Sequence, residues 1–158
     1  MKRFLFLILI VSFNISASDE GIQQWVYNTL ERAQANLDKG NIEAAEKIYY
    51  DYANDTWSSR SYDHFVFLRT YAYFLLSFDR NEEALRYLKQ ASLKRDMPPY
   101  DIFELHFTLG QVYYVTGDRD NAKKTLLKWV EIGEKNNLDL KPEGYAILAT
   151  IYAQDEEW

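Results

Sequence analysis

Apolar residues recur at helical spacing along most of this chain, and short polar turns interrupt them. Leu109–Trp129 shows the pattern most plainly. Leu109, Gly110 and Tyr113 recur at helical spacing, Gly117-Asp118 breaks the run, and Ala122 and Leu126 resume it one turn apart. Small residues at Gly110 and Ala122 let two helix backbones approach closely. Leu109, Tyr113 and Leu126 fill the space around that contact. The stretch predicts an antiparallel helical hairpin in which Ala122 and its helix press against Gly110.

The hairpin recurs. Gly110 lies 12 residues before Ala122, as Ala72 does before Ala84 and Ala33 before Ala45. The first small residue returns at Ala33, Ala72, Gly110 and Ala149, at intervals of 39, 38 and 39. One such hairpin cannot bury its apolar face alone, so a period of this size predicts stacked copies sharing a continuous core.

These residues resemble the tetratricopeptide repeat, whose pattern is W-x2-L-G-x2-Y, then A-x3-F, then P. The chain offers His106, Leu109, Gly110 and Tyr113, followed by Ala122 and Leu126. A second copy offers Leu68, Tyr71, Ala72, Leu75, Ala84 and Leu88, and a weaker first copy Ala33, Gly40, Ala45 and Tyr49. A fourth has Tyr145, Leu148, Ala149 and Tyr152. The spacing departs from the family's, because the surplus residues fall between hairpins, where longer loops cost little. The resemblance covers roughly residues 22–158 and implies an all-α fold, an α-solenoid of stacked antiparallel hairpins with about seven helices. The run from Tyr100 to Tyr152 also looks like periplasmic repeat proteins assigned to the TonB energy-transduction system. It carries Leu109–Tyr114 (Leu-Gly-Gln-x-Tyr-Tyr), Lys128-Trp129 and Pro142-Glu143-Gly144-Tyr145.

Turn residues set the expected boundaries. The first hairpin spans about residues 19–54, with Asp19 and Asn41 as helix caps. The second spans 61–95 and the third 100–136. Met97-Pro98-Pro99 stops the second hairpin's last helix. Pro142 opens a closing helix over about 142–156.

Met1–Ser18 reads as a secretory signal peptide. Lys2-Arg3 is a basic start, Phe4–Phe13 is an apolar run too short to span a bilayer, and Ser16-Ala17-Ser18 supplies small residues for cleavage. The other reading of this segment is an uncleaved anchor. Cleavage implies a periplasmic protein without stable membrane insertion. It would leave 16 basic against 24 acidic residues, a formal charge of −8. So acidic a chain is a poor partner for nucleic acid or an anionic membrane surface. The absence of cysteine excludes disulfides and thiolate chemistry.

No catalytic, cofactor or metal motif is evident. His64 and His106 fit no metal signature, and His106 stands where the repeat carries a large aromatic residue. The expectation is a non-enzymatic scaffold without cofactor, binding a protein or an extended peptide. In stacked hairpins the first helices line the concave side. Val66, Arg69, Tyr73 and Leu76 take that position in the second hairpin, and Glu104, Phe107, Gln111 and Tyr114 in the third. Arg69, Tyr73, Phe107, Gln111 and Tyr114 form the candidate partner-binding groove, because aromatics and Arg dominate binding hot spots. Two alternatives stand beside it. The aromatics pack between hairpins instead, or the groove stacks carbohydrate rings of a cell wall. Some tetratricopeptide relatives clamp a peptide carboxylate with Lys and Asn, but Arg69 is the lone basic residue among these eight positions. Finally, Tyr145, Ile147, Leu148, Ile151, Tyr152 and Trp158 place apolar groups on more than one side of the closing helix. Either further repeats follow in longer relatives, or this helix docks onto a partner or a second copy.

Overall fold

A computed structural model of the chain describes residues 22–58 and 60–155. The expected leader, the expected cap at Asp19 and the terminal Trp158 lie outside them. Among the described residues there are seven helices and no strand: α1 (Gln24–Asp38), α2 (Ile42–Ala53), α3 (Tyr62–Ser77), α4 (Asn81–Ser92), α5 (Pro99–Val115), α6 (Arg119–Asn136) and α7 (Pro142–Asp155). α1 pairs with α2, α3 with α4, and α5 with α6. Each pair then packs on the next, α2 against α3 and α4 against α5, and α7 closes on α5 and α6. This is an all-α solenoid of stacked hairpins.

The same turn closes all three hairpins. One residue takes a left-handed conformation: Gly40 at φ 78°, Asp79 at φ 58° and Gly117 at φ 86°. The following N–H then donates to the carbonyl five residues back, from Asn41 to Asn36 (2.8 Å), from Arg80 to Leu75 (3.0 Å) and from Asp118 to Tyr113 (2.9 Å). These bonds satisfy carbonyls that a helix end leaves open. Asp79 takes the glycine's place because a short polar side chain tolerates this conformation.

The repeated small residues sit at the helix contacts. Ala33, Ala45, Ala72, Ala84 and Ala122 have 0% exposure. At Gly110 the neighbour differs from the expected one. A Cβ there would lie 2.6 Å from Leu126 Cγ, so Leu126, one turn beyond Ala122, fills the space. One buried cluster runs from α1 to α5 through Phe65, Leu68, Leu75, Leu88 and Leu105. A second gathers around Trp129, with Phe103, Phe107, Leu126 and Leu148. Gly144 lets α7 lie on the Trp129 ring, since a Cβ would come within 2.3 Å of it.

Some boundaries move. α1 begins at Gln24, after an extended Gln23. Asn41 stands at the start of α2 without a side-chain capping bond. α4 ends at Ser92, before the prolines act. Ser61 and Asp118 do cap α3 and α6, accepting from the N–H groups of His64 (3.1 Å) and Asn121 (3.2 Å).

Candidate partner-binding face

The candidate residues lie on α3 and α5, where polar bonds tie consecutive hairpins together. Asp101, in the first turn of α5, accepts from the Arg69 guanidinium and from the Tyr62 hydroxyl at 2.8 Å. Arg69 also lies 5.3 Å above the Phe65 ring. One hairpin earlier, Asp63 accepts the Gln23 N–H at 3.3 Å. One hairpin later, Lys141 Nζ lies 2.7 Å from Glu104 Oε2 and 4.6 Å above the Phe107 ring. Burial opposes the charge on Arg69, but Tyr73, Asp101 and Tyr62 outweigh it and raise its pKa. The Tyr62 hydroxyl is pushed up to about 12 by burial and by its bond to Asp101.

These bonds change the candidate groove. Phe107 does not line it: the ring is 5% exposed, packs 5.2 Å from Trp129, and lies beneath Lys141. Arg69 is largely buried, and its charge is already matched by Asp101. Tyr73, Gln111 and Tyr114 remain half-buried, as does Leu76 beside them. The Tyr73 hydroxyl meets Thr108 Oγ1 at 3.4 Å, which joins α3 to α5. A narrower amphipathic strip of tyrosine, leucine and glutamine therefore crosses two hairpins.

Sequence reasoning missed the tying residues Tyr62, Asp101 and Lys141. A signal was present, since Asp63 and Asp101 are 38 residues apart, matching the repeat. It also missed an aromatic cluster at the first hairpin. Trp25, 38% exposed, stacks on Trp57 at 5.6 Å and 10°, and Trp57 stacks on His64 at 5.5 Å. His64 Nε2 donates to the Ala53 carbonyl at 2.9 Å, and His106 Nδ1 to that of Ile102 at 2.8 Å. Burial lowers the pKa of both. Each is a packing residue with a backbone partner. Among the described residues no three His, Cys, Asp or Glu side chains gather as a metal site. No described helix is long and apolar enough to cross a membrane.

No family model matches the chain, and no curated protein does. Solved structures share its fold. The nearly identical TPR-like repeats assigned to a kinesin light chain of Podosopora anserina superpose with a TM-score of 0.62 at 17% identity, over 81% of this chain. The chain spans 65% of the length of that array. The Sgt2 TPR domain of Aspergillus fumigatus gives 0.58 at 18% identity, covering 85% of this chain and 82% of that one. The Yersinia enterocolitica type III secretion chaperone SycD, solved with a peptide of the translocator YopD, gives 0.59 at 15% identity, covering 85% and 97%. The fold is thus that of tetratricopeptide-like helical repeats.

Proposed function

We propose that this chain is a tetratricopeptide-type scaffold, without enzymatic activity, that binds another protein or an extended peptide. The strip formed by Tyr73, Leu76, Gln111 and Tyr114 carries the reading. It offers partly buried aromatic, leucine and amide groups on a support that the Asp101 and Glu104 bonds hold in place. SycD, a fold neighbour, was solved with a bound peptide, which supports a peptide as the class of ligand. We place the protein in the periplasm on the strength of its leader-like first 18 residues. The resemblance over Tyr100–Tyr152 makes an accessory role in a TonB-type system the specific version. Self-association through α7 belongs to the same reading.

The test is capture of partners from envelope extract by the chain and by a variant carrying Tyr73→Ala, Gln111→Ala and Tyr114→Ala. Loss of two central aromatic anchors, each worth about 2 kcal/mol, is expected to abolish capture while the helical circular dichroism spectrum persists. Unchanged capture by the folded variant would move the site elsewhere. A carbohydrate-binding reading draws on the partly exposed Trp25 plane stacked on Trp57. Sedimentation with isolated cell wall that Trp25→Ala abolishes would favour it.

A further inference from the structure

The second helices of consecutive hairpins, α4 and α6, leave a crevice between them. It has a volume of about 270 Å³ and lies between the end of α4 and the first half of α6, with α5 as its floor. α5 turns Gln111 and Tyr114 to the candidate partner-binding face, and His106, Leu109 and Tyr113 to this other side. Leu109 and Tyr113 are buried and give the floor an apolar surface. Lys124 and Lys128 stand on the α6 wall with Asn121 and Thr125 beside them, and Ser92 faces them from α4. The chain holds 24 acidic residues against 18 basic ones, yet no described carboxylate lines this crevice.

The acids beside it are already engaged. Asp118, the α6 cap, accepts from the backbone and side-chain nitrogens of Asn121 at 3.2 and 2.7 Å. Glu131 accepts from the Lys128 ammonium at 2.9 Å. α4 brings no titratable group into the lining, only Ser92, whose hydroxyl donates to the Lys89 carbonyl at 2.7 Å. Lys124 is exposed and makes no ion pair among the described residues. His106 is half-buried between the walls. Its Nδ1 lies 2.8 Å from the Ile102 carbonyl, and a carbonyl only accepts, so the neutral ring carries its proton there. Nε2, on the far edge of the ring, keeps a lone pair and has no partner among the described residues. Burial, helped by Lys128 and opposed by the Ile102 bond, holds the pKa of the ring below the ordinary 6.5.

We propose that the crevice binds a small organic carboxylate, and that His106 takes up a proton from solvent when it does. The acid group sits between Lys124 and His106, and the apolar body of the ligand lies on Leu109 and Tyr113. The protonated Nε2–H donates to one carboxylate oxygen, and the Lys124 ammonium donates to the other. The ligand thereby supplies the counter-charge that favours the imidazolium, so the bound ring has a higher pKa than the free one. Affinity is accordingly greatest below the pKa of the free ring and falls as pH rises through that of the bound ring. A free organic acid and the terminus of a peptide share this chemistry. The site lies across α5 from Gln111 and Tyr114 and goes beyond the partner-binding reading of that face.

The chain has only two histidines, so proton NMR follows His64 and His106 through separate titrations. N-acetylphenylalanine added to the full chain should raise the His106 pKa by about one and leave His64 unmoved. Binding should then tighten about tenfold from about pH 8 to about pH 5.5. The amide of the same compound, which lacks the charge, should do neither. Lys124→Glu, at an exposed position, should raise the dissociation constant at least about tenfold without loss of helix. His106→Gln should bind with an affinity that no longer follows pH. Binding of N-acetylphenylalanine or of a tripeptide ending in phenylalanine supports the inference, and the tighter of the two names the source. An unmoved His106, an equal response to the amide or to inorganic phosphate, or binding indifferent to Lys124→Glu overturns it. The titration needs no captured partner, so failure of the Tyr73 and Tyr114 face leaves it unchanged.

Discussion

Gly110 is a position where one missing Cβ sets how two helices meet. Leu126 Cγ occupies the space that a side chain would need. Gly110→Leu is expected to lower stability by about 1–3 kcal/mol through overpacking, read from the midpoint of urea unfolding. An unchanged midpoint would show that α5 and α6 do not meet there. The small residue was legible in the sequence, because its 12-residue spacing repeats; the identity of its neighbour was not. Phe107 shows the same limit. Its register on α5 points to a groove, but Trp129 from α6 and Lys141 from the next connection cover it. A register on one helix carries no information about groups arriving from the following hairpin. Arg69 was misread for that reason too, since its partner Asp101 lies 32 residues away.

Between elements, the decisive contacts are few and partly buried. Asp101 is 8% exposed and holds both Arg69 and Tyr62. Removing it by Asp101→Ala leaves a largely buried guanidinium and a phenol without their acceptor. That is expected to cost about 2–4 kcal/mol. The Arg60–Asp96 pair, with side chains 71% and 74% exposed, is the control. Arg60→Ala should cost less than about 1 kcal/mol, because exposed pairs contribute little. Equal losses from the two variants in thermal unfolding would remove Asp101 from its tying role. Helix identity and order were legible because turns and period agreed. The ends of α1 and α4 were not, because prolines and acidic caps mark where a helix must stop, and a chain is free to stop sooner.

For the molecule as a whole, buried ionisable groups bound the pH range of stability. Burial lowers both histidine pKa values, so below about pH 6.5, the ordinary histidine value, the unfolded chain takes up protons first. Stability therefore falls as pH drops through that region. At the other end, burial pushes Tyr49 and Tyr62 up to about 12, above their ordinary 10.0. Their contribution is fully present below pH 10 and is lost as pH rises towards 12. Urea midpoints measured against pH should form a plateau bounded by these two falls. His64→Gln should flatten the acid side, and an unaltered acid limb would mean that His64 takes no part in it.

The bonds that tie the hairpins join residues only 32 to 40 positions apart: Gln23 to Asp63, Tyr62 and Arg69 to Asp101, Tyr73 to Thr108, and Glu104 to Lys141. These ties reach only to the neighbouring hairpin, and the most extensive helix contacts lie within one hairpin, which keeps the contact order low and favours rapid folding. Assembly can proceed hairpin by hairpin, each one docking on a neighbour already formed.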